Sequence, residues 1–235
     1  MFEAVLFDFF GTLTTAIQRG QAHTSIARSL GCEPEPFLAA LNRTFHARAA
    51  GACGAPVDVL RMLAEEQGVV PSRALLLAAV AARVAAVEAD VTLRSDAVGV
   101  LRAVRSLGLR SGLVSDCWYE LPSFLSRLPV APLLDTSVYS VEIGHCKPHP
   151  ALYRTACERL GVEPQRCLYA GDGGGRELSG ARAFGMTAVR LEAADLAGHL
   201  TFDPEPWWDG PTVSSLTGLL SLLAGTGGAA ARTAD

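Results

Sequence analysis

Three apolar runs in this chain each end at a polar residue, and this arrangement limits the folds that the chain can adopt. These polar residues are Asp8 in the motif LFDFFGTLT, Ser115 in LVSDC and Asp172 in YAGDGGGRE. Polar side chains at the carboxyl ends of parallel strands meet at one edge of a sheet, where open α/β sheets bind ligands. The sequence therefore predicts a parallel sheet with a polar site at that edge.

Five strand-like runs predict the sheet, and they alternate with segments of helical period. Parallel strands need crossover connections of this kind, and the crossover helices cover both faces of the sheet. We therefore expect an α/β fold with helices on both faces. The predicted strands span residues 4–7, 109–114, 137–141, 167–170 and 187–191.

A long interval without strand character separates the first two predicted strands. It contains four segments of helical period, at residues 22–30, 35–49, 57–67 and 73–89. An all-helical insert after the first strand would lie above the edge of the sheet. We expect residues 1–13 and 93–224 to form the α/β core, residues 14–92 a helical cap, and residues 225–235 a flexible tail.

Composition favours an ordinary globular protein. Of 235 residues, 49% are hydrophobic and 19% are charged. The net charge of -4 and the absence of basic clusters argue against a nucleic-acid partner. No run approaches the roughly 18 apolar residues that span a bilayer, so no membrane association is expected. A small-molecule partner and a monomer or homodimer are expected instead.

The cysteines and the first residues indicate a cytoplasmic protein. The six cysteines show no C-x-x-C pair or zinc spacing, which predicts free thiols in a reducing compartment. The opening MFEAVLFDFF has no basic leader and no small-residue cleavage site. It is interpreted as the first strand.

Together with GHCKPHP around Lys147, the motifs occur in an order that resembles the haloacid dehalogenase superfamily. Many members carry a helical cap after the first motif, and the resemblance covers residues 2–191. It implies a Rossmann-like core and a hydrolase, and most directly an Mg²⁺-dependent phosphatase that acts on a small phosphorylated metabolite. In that reaction Asp8 would form an aspartyl-phosphate.

The resemblance also assigns roles to the motif residues. Asp8 would be the nucleophile, Ser115 would bond a phosphoryl oxygen, and Lys147, the only lysine of the chain, would neutralise charge in the transition state. The residues expected to contact the phosphoryl group are Gly11, Thr12, Ser115, Asp116 and Lys147. The residues expected to hold Mg²⁺ are Asp8, the carbonyl of Phe10, Asp172 and Glu177.

Phe10 departs from the pattern of phosphatases in this superfamily. They usually have a second aspartate two residues after the nucleophile, which protonates the leaving group and then activates water. A phenylalanine can do neither. Histidines that could replace this acid are His23 and His46 in the cap, with His145 and His149 beside Lys147. Cap arginines that could hold an anionic substrate are Arg19, Arg43 and Arg48.

Three other functions stay open. In the dehalogenase branch an aromatic residue often stands at the position of Phe10, but the fourth motif there resembles SSNxxD rather than GDGGGRE. A phosphoryl or acyl transferase would follow if the intermediate hydrolyses slowly. A binding protein could have kept the fold and lost turnover. The phosphonate-cleaving branch needs a cap lysine, and this cap has none.

Overall fold

Six parallel strands form a single sheet in the computed structural model, which describes residues 1–225. They are β1 (Ala4–Phe7), β2 (Arg110–Ser115), β3 (Thr136–Tyr139), β4 (Cys167–Gly171), β5 (Thr187–Leu191) and β6 (Thr212–Val213). Their order across the sheet is β3-β2-β1-β4-β5-β6. The predicted parallel α/β sheet is confirmed. Strand β6 has only two residues and left no recognisable pattern in the sequence.

The central position of β1 brings the motifs together. Strand β1 pairs with β2 on one side and with β4 on the other, with Phe7 opposite Leu113 and Ala170. Asp8 therefore leaves the sheet between the carboxyl ends of β2 and β4. The strand order is that of doubly wound folds, which bind ligands at this edge.

The chain between β1 and β2 begins with a group of five α-helices, which has a hydrophobic core of its own. Its largest side chains include Phe37, Leu41, Leu60 and Leu76, and Trp118 from the loop after β2 joins it. The helices are α1 (Gln21–Ser29), α2 (Pro34–Arg43), α3 (Phe45–Ala49), α4 (Pro56–Glu65) and α5 (Arg73–Asp90).

The predicted helix 35–49 is wrong in one respect, because the chain breaks at Thr44 into α2 and α3. The Thr44 hydroxyl donates to the Ala40 carbonyl at 2.8 Å, and the backbone turns there with φ −92° and ψ 7°. Threonine hydroxyls that bond a carbonyl of the preceding turn bend helices.

Two adjacent backbone segments join the helical part to the sheet. Thr14 and Leu93 form an antiparallel bridge, and the Arg94 amide donates to the Leu13 carbonyl at 3.0 Å. The chain leaves and returns beside the end of β1. The helices are thereby held over the carboxyl edge of the sheet.

Alternate residues of the central strands pack on opposite faces. Val5 and Phe7 face one cluster, and Ala4 and Leu6 face the other. The first cluster includes residues of α6 (Ala97–Ser106), α7 (Glu120–Phe124) and, far along the chain, the last helix. After the short α8 (Ser140–Ile143), the helices α9 (Pro150–Leu160) and α10 (Glu177–Ala183) cover the second face, and α11 (Gly218–Gly225) completes the first.

The structure also bears on the cysteines, the predicted tail and the question of membrane-spanning helices. All six cysteines are free, as predicted. Apart from Gly225, which ends α11, the predicted tail 225–235 lies outside the described residues. Among residues 1–225, no helix combines the length and the apolar character needed to cross a bilayer.

Candidate active site

A cavity of about 160 Å³ lies between the carboxyl edge of the sheet and the helices above it. From the sheet side, the carboxylates of Asp8, Asp116 and Asp172 line it together with the ammonium of Lys147. Of the three strand-end residues that the sequence predicted to meet at this edge, Asp8 and Asp172 line the cavity and Ser115 does not. The cavity is therefore the candidate active site.

The turn after β1 depends on Gly11. Its φ of +82° is unfavourable for other residues, and a Cβ here would lie 2.7 Å from His199 Nε2 and 3.1 Å from Asp172 Oδ2. Arg94 holds the turn from below by donating to the carbonyls of Gly11 at 2.9 Å and Thr12 at 3.0 Å. The backbone can approach the site closely because no side chain intervenes.

Lys147 links two buried carboxylates. Its Nζ donates to Asp8 Oδ1 at 2.7 Å and to Glu177 Oε2 at 2.5 Å, and all three side chains are buried. Burial alone would lower the pKa of Lys147, but Asp8 and Glu177 raise it well above its ordinary value. The ammonium therefore stays charged and offsets the charge on Asp8.

Glu177 is held at the start of α10. Its Oε1 accepts from the Gly173 amide at 3.0 Å, and its Oε2 accepts from the Tyr169 hydroxyl at 2.8 Å as well as from Lys147. Both oxygens are thus engaged. This geometry suits an anchor for Lys147.

A metal ion fits between Asp8 and Asp172. Oxygen atoms of Asp8, Asp172 and Glu177 lie within 4.8 Å of one another. Burial, followed by the nearby charge of Asp8, raises the pKa of Asp172, and a bound cation would offset the charge of both acids. An all-oxygen donor set is the kind that Mg²⁺ prefers.

His199 lies in the site and was not found in the sequence. It is in the loop after β5, its Nδ1 accepts from the Ile17 amide at 2.8 Å, and its Nε2 faces Asp172 Oδ2 at 3.6 Å. In the neutral imidazole the proton is therefore on Nε2, towards the cavity. A lone histidine beyond the last motif gives no sequence signal of this kind.

Asp116 is the acid nearest to the end of β2. The Lys147 amide donates to its Oδ1 at 3.0 Å and to its Oδ2 at 3.1 Å. Burial raises the pKa of Asp116 to about 6. A carboxyl group with this pKa can both give and take a proton near neutral pH.

The hydroxyls of Ser115 and Thr12 are buried without a hydrogen-bond partner among the described residues. Unpaired buried hydroxyls are costly, so these two are available to a ligand oxygen. Ser115 lies behind the residues that line the cavity, at the end of β2. Its predicted contact with a phosphoryl group stays a prediction.

The candidate residues of the helical part divide into two groups. Arg19 and His23 line the cavity, with His23 Nε2 paired to Asp90 Oδ2 at 2.7 Å. Arg43 does not reach it, because its Nη2 bonds Glu66 Oε2 at 2.6 Å on the exposed side of α2. His46 is not among the lining residues either, and its ring contacts Phe45 at 5.3 Å.

His145 and His149 do not face the cavity. Their rings stack on each other at 3.7 Å, and neither lines the site. Phe10 does line it, and its ring packs edge-on against Phe9 at 4.9 Å. Among the residues that line the cavity, Asp116, His23 and His199 are therefore candidates for the acid role that Phe10 cannot perform.

Arginines and a tryptophan form the upper wall. Arg83 of α5 bonds Glu120 Oε1 through Nε at 2.9 Å, and both are buried. The guanidinium carbon of Arg48 lies 4.7 Å from the centre of the Trp118 ring, and that of Arg83 lies 5.8 Å from it. Of these residues the sequence indicated only Arg48.

Comparisons with known proteins agree with this geometry. A phosphoglycolate phosphatase of Xylella fastidiosa is 36% identical over 129 residues, which make up 52% of this chain and 52% of the relative. An (S)-2-haloacid dehalogenase 1 of Pseudomonas sp. is 31% identical over 129 residues, 54% of this chain and 55% of the relative. The chain spans about half the length of the curated relatives it matches.

The structural comparison covers nearly the whole chain. A 2-haloacid dehalogenase from Pseudomonas syringae pv. Tomato superposes with a TM-score of 0.70 at 19% identity, over 96% of this chain and 100% of that chain. This likeness establishes the fold. A family model for haloacid dehalogenase-like hydrolases matches residues 2–185. Because that match covers well over half of the sequence, the chain belongs to the haloacid dehalogenase-like hydrolases.

Proposed function

We propose that this hydrolase is an Mg²⁺-dependent phosphatase that cleaves a small phosphorylated metabolite through an aspartyl-phosphate at Asp8. The observation that carries the proposal is the buried Asp8–Lys147 pair beside a second acid, Asp172. Lys147 alone would satisfy Asp8. The additional buried carboxylate of Asp172 makes chemical sense with a cation and an anionic phosphoryl group.

In the first step an oxygen of Asp8 attacks phosphorus, and the bond from phosphorus to the leaving oxygen breaks. Asp116, in its protonated form, gives its proton to the leaving oxygen. In the second step water attacks the phosphorus of the aspartyl-phosphate, Asp116 takes a proton from that water, and the Asp8 carboxylate is restored as inorganic phosphate leaves. Lys147 offsets negative charge throughout.

Mg²⁺ would be held by Asp8, Asp172 and the carbonyl of Phe10, and it would supply positive charge against the phosphoryl oxygens. Glu177, the fourth predicted ligand, would act by orienting Lys147, since both of its oxygens already accept hydrogen bonds. His199 would direct its Nε2 proton towards Asp172. Residues 14–92 would form the cap that excludes water from the intermediate.

The test is phosphate release from small phosphoesters and acyl phosphates, with Mg²⁺ or with EDTA. We expect release that needs the metal and that Asp8→Asn abolishes. Glu142→Gln, which changes a carboxylate that does not line the cavity, is the matched control. Release that persists at an undiminished rate in Asp8→Asn would refute the aspartyl-phosphate.

One observation favours a second function. Phe10 places an aromatic ring in the cavity where phosphatases of this family usually have an acid, and this is a feature of the dehalogenase branch. A dehalogenase would release chloride from 2-chloropropionate in the presence of EDTA. The buried Asp172 beside Asp8 makes this the weaker proposal, because burial and the charge of Asp8 both disfavour the ionised form of Asp172, and a bound cation would offset that cost.

A further inference from the structure

Three arginines of the helical part line the cavity opposite Asp8. Arg19 precedes α1, Arg48 is in α3, and Arg83 is in α5. They come from separate segments of the sequence, and only the packing of the helices brings their guanidinium groups to one wall. Burial, followed by the charge of Arg83, lowers the pKa of Arg19 and of Arg48 to about 10.

Within the part of the chain that the structure describes, two of these charges have no counterion. Arg83 is paired with Glu120, and Asp90 is paired with His23. Among residues 1–225, neither Arg19 nor Arg48 forms an ion pair.

Counting all groups on this wall gives one net positive charge. Arg19, Arg48 and Arg83 supply three positive charges and Glu120 and Asp90 two negative ones, while burial lowers the pKa of His23 and favours its neutral form. One further negative charge would make the wall neutral.

Arg48 is fixed in place with donors to spare. Its Nε donates to Thr44 Oγ1 at 3.1 Å, its Nη2 donates to the Leu41 carbonyl at 2.6 Å, and the Trp118 ring lies beneath it. A guanidinium has five N–H groups, so Nη1 is left for another acceptor. A buried arginine that is oriented by other contacts loses little freedom when it binds an anion.

Arg19 is similar. Its Nη1 donates to Asn42 Oδ1 at 2.6 Å, and its Nε and Nη2 have no hydrogen-bond partner within the described part of the chain. An Nε and Nη2 pair is the edge of the guanidinium that binds a carboxylate through two parallel hydrogen bonds. Arg43, by contrast, lies outside this wall and pairs with Glu66.

The size of the cavity limits the ligand. A volume of about 160 Å³ holds on the order of ten water-sized groups, at roughly 10–15 Å³ each. A phosphoryl group with its oxygens already uses about half of that room. A carboxylate on one or two carbon atoms fits the remainder.

We propose that Arg19 and Arg48 bind a carboxylate at the end of the substrate remote from the phosphoryl group, and that the substrate is a short phosphorylated carboxylic acid. The proposal rests on the proposed phosphatase function, since it names the substrate class of the same site. One carboxylate supplies the single negative charge that the wall lacks. The cap thus selects the substrate by charge and length.

The experiment compares two esters of the same length, phosphoglycolate and ethyl phosphate, which differ in the carboxylate. The measured quantity is the ratio of their kcat/KM values in the wild-type protein, Arg19→Met, Arg48→Met, Arg48→Lys and Arg43→Met. A ratio cancels any general loss of activity. Circular dichroism melting shows which variants fold, and Arg19, which is less buried, keeps the test open if Arg48→Met unfolds.

We expect the wild-type protein to prefer phosphoglycolate, and each methionine variant of Arg19 or Arg48 to lower the ratio roughly ten- to hundredfold, as for the loss of a hydrogen bond to a charged group. Arg48→Lys should recover part of the ratio. Arg43→Met should leave the ratio unchanged, because Arg43 lies outside the cavity. A wild-type ratio near one, or equal ratios in all variants, would overturn the carboxylate site.

Binding separates this proposal from the phosphatase chemistry. Titration calorimetry of Asp8→Asn with both esters, with and without Arg48→Met, reports on the carboxylate site without turnover. Suppose that the wild-type protein turns over neither ester, while Asp8→Asn binds phosphoglycolate more tightly than ethyl phosphate and Arg48→Met removes this difference. This result would overturn the phosphatase function and support the carboxylate site. Turnover of both esters by the wild-type protein, with equal binding of the two by Asp8→Asn, would support the phosphatase function and overturn the carboxylate site.

Discussion

Replacing Asp116 by asparagine should stabilise the metal-free protein at high pH more than at low pH. Burial raises the pKa of this carboxyl from 3.8 to about 6, so the folded state disfavours its ionised form. The folded protein then binds more protons than the unfolded chain between these two values, and its stability falls as the pH rises through them. Asparagine keeps an acceptor for the Lys147 amide but never ionises.

The pKa shift sets the size of the effect. A shift of about two units corresponds to about 3 kcal/mol of unfolding free energy at pH 8, where Asp116 is ionised in both states, and to about half of that at pH 5. Because the side chain keeps partial contact with solvent, these values are upper limits. The advantage of Asp116→Asn over the wild type should therefore grow by up to about 1.5 kcal/mol from pH 5 to pH 8.

Urea unfolding in EDTA measures the difference in unfolding free energy between Asp116→Asn and the wild type at each of the two pH values. Any effect of asparagine that does not depend on pH cancels when the two differences are compared. Asp58→Asn, on the exposed side of α4, controls for the loss of one negative charge. If the advantage of Asp116→Asn is the same at both pH values, or larger at pH 5, the reasoning from burial is refuted. In activity assays, the wild-type rate should fall above about pH 6 as the acid loses its proton, and Asp116→Asn should lack this decline.

Three further predictions concern other parts of the site. Gly11→Ala should destabilise the protein more than Gly54→Ala in urea unfolding. Both glycines have a positive φ, which costs an alanine about 1–2 kcal/mol, but a Cβ at residue 11 would also meet His199, whereas a Cβ at residue 54 would have no neighbour within 4 Å. Equal losses of stability would contradict the steric argument. Phe10→Asp should not raise Mg²⁺-dependent phosphate release, because Asp116 already supplies an acid and a further carboxylate would add negative charge beside Asp8 and Asp172; a rise of about tenfold or more would contradict this. Lys147→Met should destabilise the protein by about 3–5 kcal/mol at pH 8, since it leaves buried carboxylates unpaired, and a loss below about 1 kcal/mol in urea unfolding would contradict this.

The sheet and the core of the site were predictable because their signals are local. Asp8, Ser115 and Asp172 each follow an apolar run, and a run in a parallel sheet fixes the edge at which the next residue emerges. Strand β1 was predicted with the bounds that the structure has. What the sequence supplied was the order of the strands along the chain and the polar residues at their ends.

The upper wall was not predictable in the same way, because it depends on how separate helices meet. The sequence indicated both Arg43 and Arg48, but only Arg48 lines the cavity, because Arg43 pairs with Glu66 on the exposed side of α2. Arg83 is one arginine in a long alanine-rich helix, and its partner Glu120 lies 37 residues away. His199 reaches the site through a loop that has no pattern.

The position of the acid explains how Phe10 can occupy a place that usually belongs to an aspartate. An acid at residue 10 would share the end of β1 with Asp8 and would face Asp172, so its charge would add to a group of carboxylates already short of positive charge. Asp116 follows the neighbouring strand β2 and is held by the Lys147 amide. Burial gives it the pKa near 6 that the proposed proton transfer requires, and Phe10 packs against Phe9 at the edge of the cavity. A cavity with an aromatic ring at this edge and arginines on its far wall would suit the short anionic substrate proposed above.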